Sequence, residues 1–148
     1  MDVETTRFGS VSVDEDRLIT FPAGLLGFTA YTTFALLQPD EDGAFLWLQS
    51  LEAPELAFVV TDPAMWIAEY RVPVRREQLE QLAMESVQDA EVFVIVNRYG
   101  EALTANLQGP LVINPRNRRG VQLVLAEKRW TTRHEIIRLG ETLQAASA

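Results

Sequence analysis

The chain has 148 residues, 47% of them apolar and 23% charged, which fits one soluble globular domain and excludes a membrane-helix protein, because no run approaches the ~18 apolar residues that a spanning helix needs. Its net charge of −8 argues against broad non-specific binding to nucleic acid, which draws on clustered Lys and Arg. The absence of cysteine removes disulfides, thiolate catalysis and cysteine metal sites, and it is compatible with a reducing cytoplasm.

The opening "MDVETTRFGS" has neither a basic n-region nor an apolar h-region, so no signal peptide is expected and the protein reads as cytoplasmic. "FGSVSVDEDRLITF" alternates apolar and polar residues on both sides of an Asp-rich turn, which predicts a hairpin with Val11 and Val13 facing Leu18 or Ile19 and Phe21. In "FPAGLLGF", Pro22 fixes one dihedral, and Gly24 and Gly27 allow positive φ or a close approach, so that Leu25, Leu26 and Phe28 either plug the core or form an apolar surface knob. "FALLQP" and "AFLWLQSL" flank the turn signal Asp40–Gly43 and predict a second hairpin, with Trp47 in the core. "LAFVVTDP" is apolar enough to be a strand buried on both faces. "PVRREQLEQLAME" spaces Leu79, Leu82 and Ala83 as a short amphipathic helix does, around residues 75–84, with Pro73 just ahead of it. "EVFVIVNR" and "LTANL" flank Tyr99-Gly100, and "GPLVIN" and "GVQLVL" flank "PRNRRG", giving two more hairpins. A helix is expected over about 131–138, ended by Gly140. The fold class is therefore mainly β: a small antiparallel β-barrel-like single domain over 1–140 with one short helix and a flexible tail at 141–148. Closure would protect the long apolar strands from edge-to-edge aggregation.

Residues suited to covalent or metal chemistry are scarce. His134 is the single histidine, and a His-based triad needs a nucleophile within its reach and a third group to orient it. Ser10 lies in a strand pattern, not in a nucleophile elbow. One His without Cys makes a zinc site improbable, and the acids at Asp40–Gly43 lack the spacing of a calcium loop and read as a hairpin turn. "GLLGF" lacks the Lys and the Ser or Thr of a phosphate loop. No catalytic residue, metal or cofactor is assigned, and the chain reads as a non-enzyme.

Charge is distributed unevenly. Through residue 69 there are twelve acids against two bases, whereas 116–138 holds seven bases against two acids. The first stretch is either a solvated surface that keeps the protein soluble or an acidic face that steers a basic partner. The basic turn "PRNRRG" lacks the neighbouring aromatics that RNA stacking favours. Trp66, with Tyr70 close behind, and Trp130 are candidate partly exposed anchors for a partner.

Three motifs in order, "ITFPAGLLGF", "FLWLQSLEAPELAFVVTDP" and "LTANLQGPLVINPRNRRGVQLVL", resemble the FliW family of flagellar assembly factors over roughly residues 5–130. That resemblance implies a cytoplasmic, non-enzymatic bacterial protein with a small antiparallel β-barrel-like fold. It further implies two partners: flagellin, bound in chaperone-like fashion near its terminal helical region, and CsrA, the RNA-binding translational regulator, bound and antagonised. Neither direct nucleic-acid binding nor membrane binding is implied, and a monomer is expected when free.

Chemistry suggests where such partners would sit. Glu52, Glu55, Asp62 and Glu69 are the candidate acidic contacts for a basic regulator. Leu25, Leu26, Phe28, Trp66 and Tyr70 are the candidate apolar contacts for an amphipathic flagellin helix. Two other readings stay open: RNA binding through Arg116, Arg118, Arg119, Lys128 and Arg129 in the basic segment 116–129, and an enzyme using the barrel mouth with His134 and nearby carboxylates.

Overall fold

Strand pairing accounts for most of the chain. The structure, a computed structural model, describes residues 1–39 and 43–139; the expected turn at Asp40–Asp42, the stop at Gly140 and the tail at 141–148 lie outside the described residues. In chain order the strands are β1 (Asp2–Thr5), β2 (Gly9–Ser12), β3 (Leu18–Thr20), β4 (Thr33–Leu37), β5 (Phe45–Ser50), β6 (Ala57–Thr61), β7 (Glu91–Tyr99), β8 (Ala102–Ala105), β9 (Leu111–Asn114), β10 (Arg119–Gln122) and β11 (His134–Arg138). One short helix, α1 (Arg76–Gln81), lies between β6 and β7, inside the stretch where the periodicity puts it.

Seven strands close a barrel in the order β7-β6-β5-β4-β3-β10-β9 and back to β7. Neighbours are antiparallel except β3 and β10, which meet in parallel at Thr20 and Arg119. Closure is possible because β7 has nine residues and meets β8 and β9 in turn. Its end Val96–Tyr99 pairs with β8, and its start Glu91–Phe93 pairs with β9. Between them the chain makes an excursion at Asn106–Pro110. The Asn106 amide donates to the Ile95 carbonyl at 2.9 Å, while its Oδ1 accepts from the Gln108 and Gly109 amides at 3.1 Å. Gln122 in β10 fastens this excursion, donating to the Gly109 carbonyl at 3.0 Å. Its Oε1 also accepts from the Leu26 amide at 2.8 Å, so one side chain ties the glycine-rich loop to the Gly109-Pro110 bend.

Side-chain alternation along these strands builds three apolar clusters. Ile19, Phe34, Leu36, Leu48, Val60, Phe93, Leu111 and Ile113 fill the barrel, joined by Phe21 and Leu25 from the loop after β3. The residues between them point outward and are covered in turn. Ala35 and Leu37 pack beneath the β1–β2 ribbon with Val3 and Val13. Val94 and Val112 pack with Ile67, Tyr70, Leu82, Leu107 and Trp130. Both faces of β4 and β9 are thus dry, which is why those strands read as unbroken apolar runs.

α1 is held mainly at its end. Leu82, just past it, is fully buried, and its carbonyl accepts from Asn114 Nδ2 at 2.8 Å and Asn117 Nδ2 at 3.0 Å. Arg119 Nη1 donates to the Gln81 carbonyl at 3.2 Å. Carbonyls that a helix end leaves unpaired are thereby satisfied from the β9–β10 turn.

Several expectations need correction. β2 pairs with β1 rather than with β3, and β3 pairs with β4. A short 3-10 turn at Glu15–Arg17 redirects the chain, and Arg17 Nε donates to the Leu36 carbonyl at 3.2 Å. The segment expected to be helical at 131–138 instead forms β11, paired to β8 from His134↔Ala105 to Arg138↔Ala102. Adjacent Ile136 and Ile137 are β-branched, and the open edge of β8 offers them a ladder. β6 is fully buried only at Val60 and Thr61; Ala57, Phe58 and Val59 are half-buried at the barrel rim. Trp47 is half-buried outside the barrel, beneath the Arg7 guanidinium at 4.3 Å, and is not an interior residue.

Gly24 has φ +70°, and a Cβ there would lie 2.5 Å from Thr29 Cα. Gly24→Ala is therefore expected to cost about 1–3 kcal/mol, read as a lower urea midpoint at unchanged slope.

Candidate functional site

The four candidate acids do not form one face. Glu52 and Glu55 lie in the turn between β5 and β6, whereas Asp62 and Glu69 follow β6 at its other end. The five residues of β6 span about 17 Å, so the two pairs occupy opposite ends of a strand. Glu52 also holds the backbone together, since its carboxylate oxygens accept from the Thr32 and Thr33 amides at 2.8 and 2.9 Å. Asp62 caps the turn Pro63–Met65 by accepting from the Ala64 amide at 2.9 Å. Glu55 and Glu69 are exposed.

Nor do the five apolar candidates form one surface. Leu25 is 2% exposed and Tyr70 7%, so both belong to cores. Phe28 is half-buried against Phe58, with ring centroids 5.1 Å apart. Trp66 is half-buried, stacks on Phe45 at 5.8 Å and donates its Nε1–H to Thr61 Oγ1 at 3.0 Å. Leu26 alone of the five is widely exposed, at 57%. The local reason is the tight turn at Leu25–Phe28, where Gly27 has positive φ and the paired ends point inward. Trp130, expected as a partly exposed anchor, is buried. Its ring meets Tyr70 edge-on at 4.9 Å and carries the Arg129 guanidinium at 4.2 Å.

The basic residues are likewise divided. Arg116, Arg118 and Arg119 sit at the β9–β10 turn, while Lys128 and Arg129 lie beyond the far end of β10. Arg118 is half-buried, donates to the Leu18 carbonyl and meets Glu91 at 3.7 Å. Arg129 meets Glu127 at 3.3 Å. They make no continuous stripe for a phosphate backbone. His134 stands on β11 opposite Ala105, and among the described residues no three His, Cys, Asp or Glu side chains are grouped to hold a metal ion. Interior side chains from the barrel strands, with Phe21 and Leu25, fill the barrel. No helix among the described residues is long and apolar enough to cross a membrane.

What sequence reasoning missed is a groove of about 870 Å³ where Asp62 and Tyr70, drawn from the two candidate sets, come together. Val72, Pro73, Val87, Val92 and Phe93 give it an apolar lining, and Glu91, Glu127 and Arg71 add charge. The Tyr70 hydroxyl donates to the Leu107 carbonyl at 2.6 Å, and burial pushes its pKa up. The ingredients are scattered from residue 62 to 127, so no local motif marks the site. The continuous apolar character of β7 is the one sign in the sequence.

Comparison with known proteins is consistent across the chain. The family model described as "FliW protein" matches residues 2–136, which extends the recognisable region into β11, beyond the expected limit near 130. The flagellar assembly factor FliW of Geobacter sulfurreducens is 40% identical over 136 residues, covering 90% of this chain and 85% of that protein. That of Treponema denticola is 36% identical over 139 residues, covering 93% of this chain and 94% of the other. A crystal structure of the flagellar assembly factor FliW superposes with a TM-score of 0.83 at 33% identity, covering 93% of this chain and 97% of that one.

Tyr70→Phe leaves the buried Leu107 carbonyl without its donor and is expected to cost about 1–3 kcal/mol in denaturant titration. Because the folded-state pKa lies above the unfolded value of about 10, the phenol's contribution is complete below pH ~10 and is lost as pH rises beyond it. The stability gap between parent and variant should therefore narrow in strong alkali.

Proposed function

The chain belongs to the FliW family, and from that membership we propose that it is a non-enzymatic, cytoplasmic flagellar assembly factor that works by gripping other proteins. Its partners are flagellin, held in chaperone-like fashion, and a CsrA-type RNA-binding regulator, whose action it antagonises. Flagellin synthesis is thereby coupled to flagellum assembly. The observation that carries this reading is the near full-length similarity to proteins named flagellar assembly factor. The filled barrel supports it, since the exterior is what remains to do the work.

Electrostatics favours the second partnership. A regulator that holds RNA must present basic residues, and a protein of net charge −8 docked beside them adds negative potential that disfavours the phosphate backbone. With the acids divided between two ends of the barrel, each end is a separate candidate contact, and Glu55 and Glu69 are the residues free of the structural bonds made by Glu52 and Asp62.

Purified protein is expected to form a complex with flagellin and, separately, with the regulator, and to leave RNA unshifted in a gel when alone. Charge reversal at Glu55 or at Glu69 should slow association with the regulator several-fold to about tenfold at low salt, with the difference shrinking as salt rises. Failure to recover either protein would refute the assignment. Unchanged association for both reversals would remove the acidic contact while leaving the flagellin partnership standing.

A further inference from the structure

The groove beside Tyr70 has a feature that apolar lining does not explain: an unfinished β-ladder. In an antiparallel ladder, backbone groups of alternate residues point to opposite edges. The Asn106 amide bonds to the Ile95 carbonyl, so Glu91, Phe93 and Ile95 of β7 direct theirs toward β8 and β9. Val92, Val94 and Val96 therefore direct theirs toward β6. Val94 meets Thr61 and Val96 meets Val59. One step further, Val92 should meet residue 63, and residue 63 is proline.

Pro63 ends the ladder physically. It has no N–H to give, and its carbonyl is turned into the next turn, accepting from the Trp66 amide at 3.1 Å and the Ile67 amide at 3.0 Å. Among the described residues no backbone bond reaches Val92 from the β6 side. Val92 lines the groove together with Pro63 itself. One donor and one acceptor of a strand edge thus face an apolar channel.

The charges at this place select the occupant. Asp62, Glu91 and Glu127 line the groove with one base, Arg71, whose Nη1 donates to the Ala68 and Tyr70 carbonyls at 2.9 Å. Arg118 and Arg129, outside the lining, pair with Glu91 at 3.7 Å and Glu127 at 3.3 Å, so among the described residues Asp62 is the lining acid without an ion pair and the first position to draw a basic side chain. The chain's own residues 140–148 carry one acid and no base, so they lack the complementary charge.

We propose that this groove docks an extended segment of a partner protein, which adds to β7 at Val92 and carries alternate apolar residues with a Lys or Arg between them. The mode is β-augmentation: main-chain bonds hold the segment, side-chain pockets read every second residue, and the acidic rim favours its basic positions. The inference rests on the reading of the chain as a partner-binding factor, but it does not depend on which partner supplies the segment.

The probe is a displayed library of random dodecapeptides, selected on the immobilised full chain and mapped by amide resonances. Selected peptides should be enriched in alternating apolar and basic residues and should shift the Val92 amide with those of Glu91 and Phe93. N-methylation of alternate peptide residues should weaken binding about tenfold or more, because it removes ladder donors. The doubly neutralised variant D62N/E127Q, which keeps the capping acceptor at residue 62, should bind about threefold to tenfold more weakly at low salt. Selected peptides that map elsewhere, that tolerate N-methylation, or that show no enrichment would overturn the proposal. So would a free chain whose Val92 amide is as protected from exchange as those of Val94 and Val96. If peptides map to Val92 while flagellin and the regulator both fail to bind, the groove stands and the partner assignment falls; the converse result rejects the groove alone.

Discussion

The structure depends on one strand having neighbours along both edges. β7 pairs with β6 on one side, and with β8 and then β9 on the other. Without the second pairing the molecule would be an open sheet with long apolar edges, the arrangement most prone to aggregate. The chain leaves β8 and returns as β9 along the same edge only because the excursion at Asn106–Pro110 satisfies its own backbone through Asn106 and is pinned by Gln122. A Cβ at Gly109 would come within 2.9 Å of Gln122 Nε2 and 3.0 Å of Asn106 Nδ2, so the bend is tight as well as bonded. The same Gln122 holds the glycine-rich loop whose Leu25 helps fill the barrel. Closure, loop and core are therefore one construction.

A filled barrel commits the molecule to working at its surface. Its strands are buried inside by one cluster and outside by two more, which leaves rims, turns and surface grooves as places where another molecule can be met. Charge is spread over those places in separate pairs. Long-range steering survives such spreading, since it follows the summed field, while short-range recognition must be local. The groove beside Tyr70 meets that local requirement, combining apolar lining, acidic rim and a strand edge ended by Pro63.

Sequence patterning reached the barrel class, the short helix and three of the hairpins because each is marked locally, by alternation, by three-to-four spacing or by turn residues. It failed at the β1–β2 ribbon and at β11 for a shared reason. The β1–β2 ribbon and β11 owe their partners to tertiary geometry: Arg17 reaching Leu36 redirects the chain, and the free edge of β8 captures His134–Arg138. The candidate contacts fared less well. Leu25 and Tyr70 are chemically plausible anchors, but a tight turn and a buried hydrogen bond to Leu107 turn them inward. The four acids looked adjacent in sequence, yet a strand between 55 and 62 sets them at opposite ends. Family resemblance identified the chain correctly, since motif order survives where exposure and spacing in three dimensions cannot be read.

Native-state amide exchange along β7 tests the central claim, a closed and rigid barrel that serves its partners from outside. Such a barrel predicts that the amides of Val94 and Val96, facing β6, and that of Phe93, facing β9, exchange together at the rate of global unfolding, with that equality kept when a partner protein is bound. Faster exchange of the β9-facing amide, or its loss of protection on binding, would contradict it by showing a sheet that opens at the β7–β9 seam.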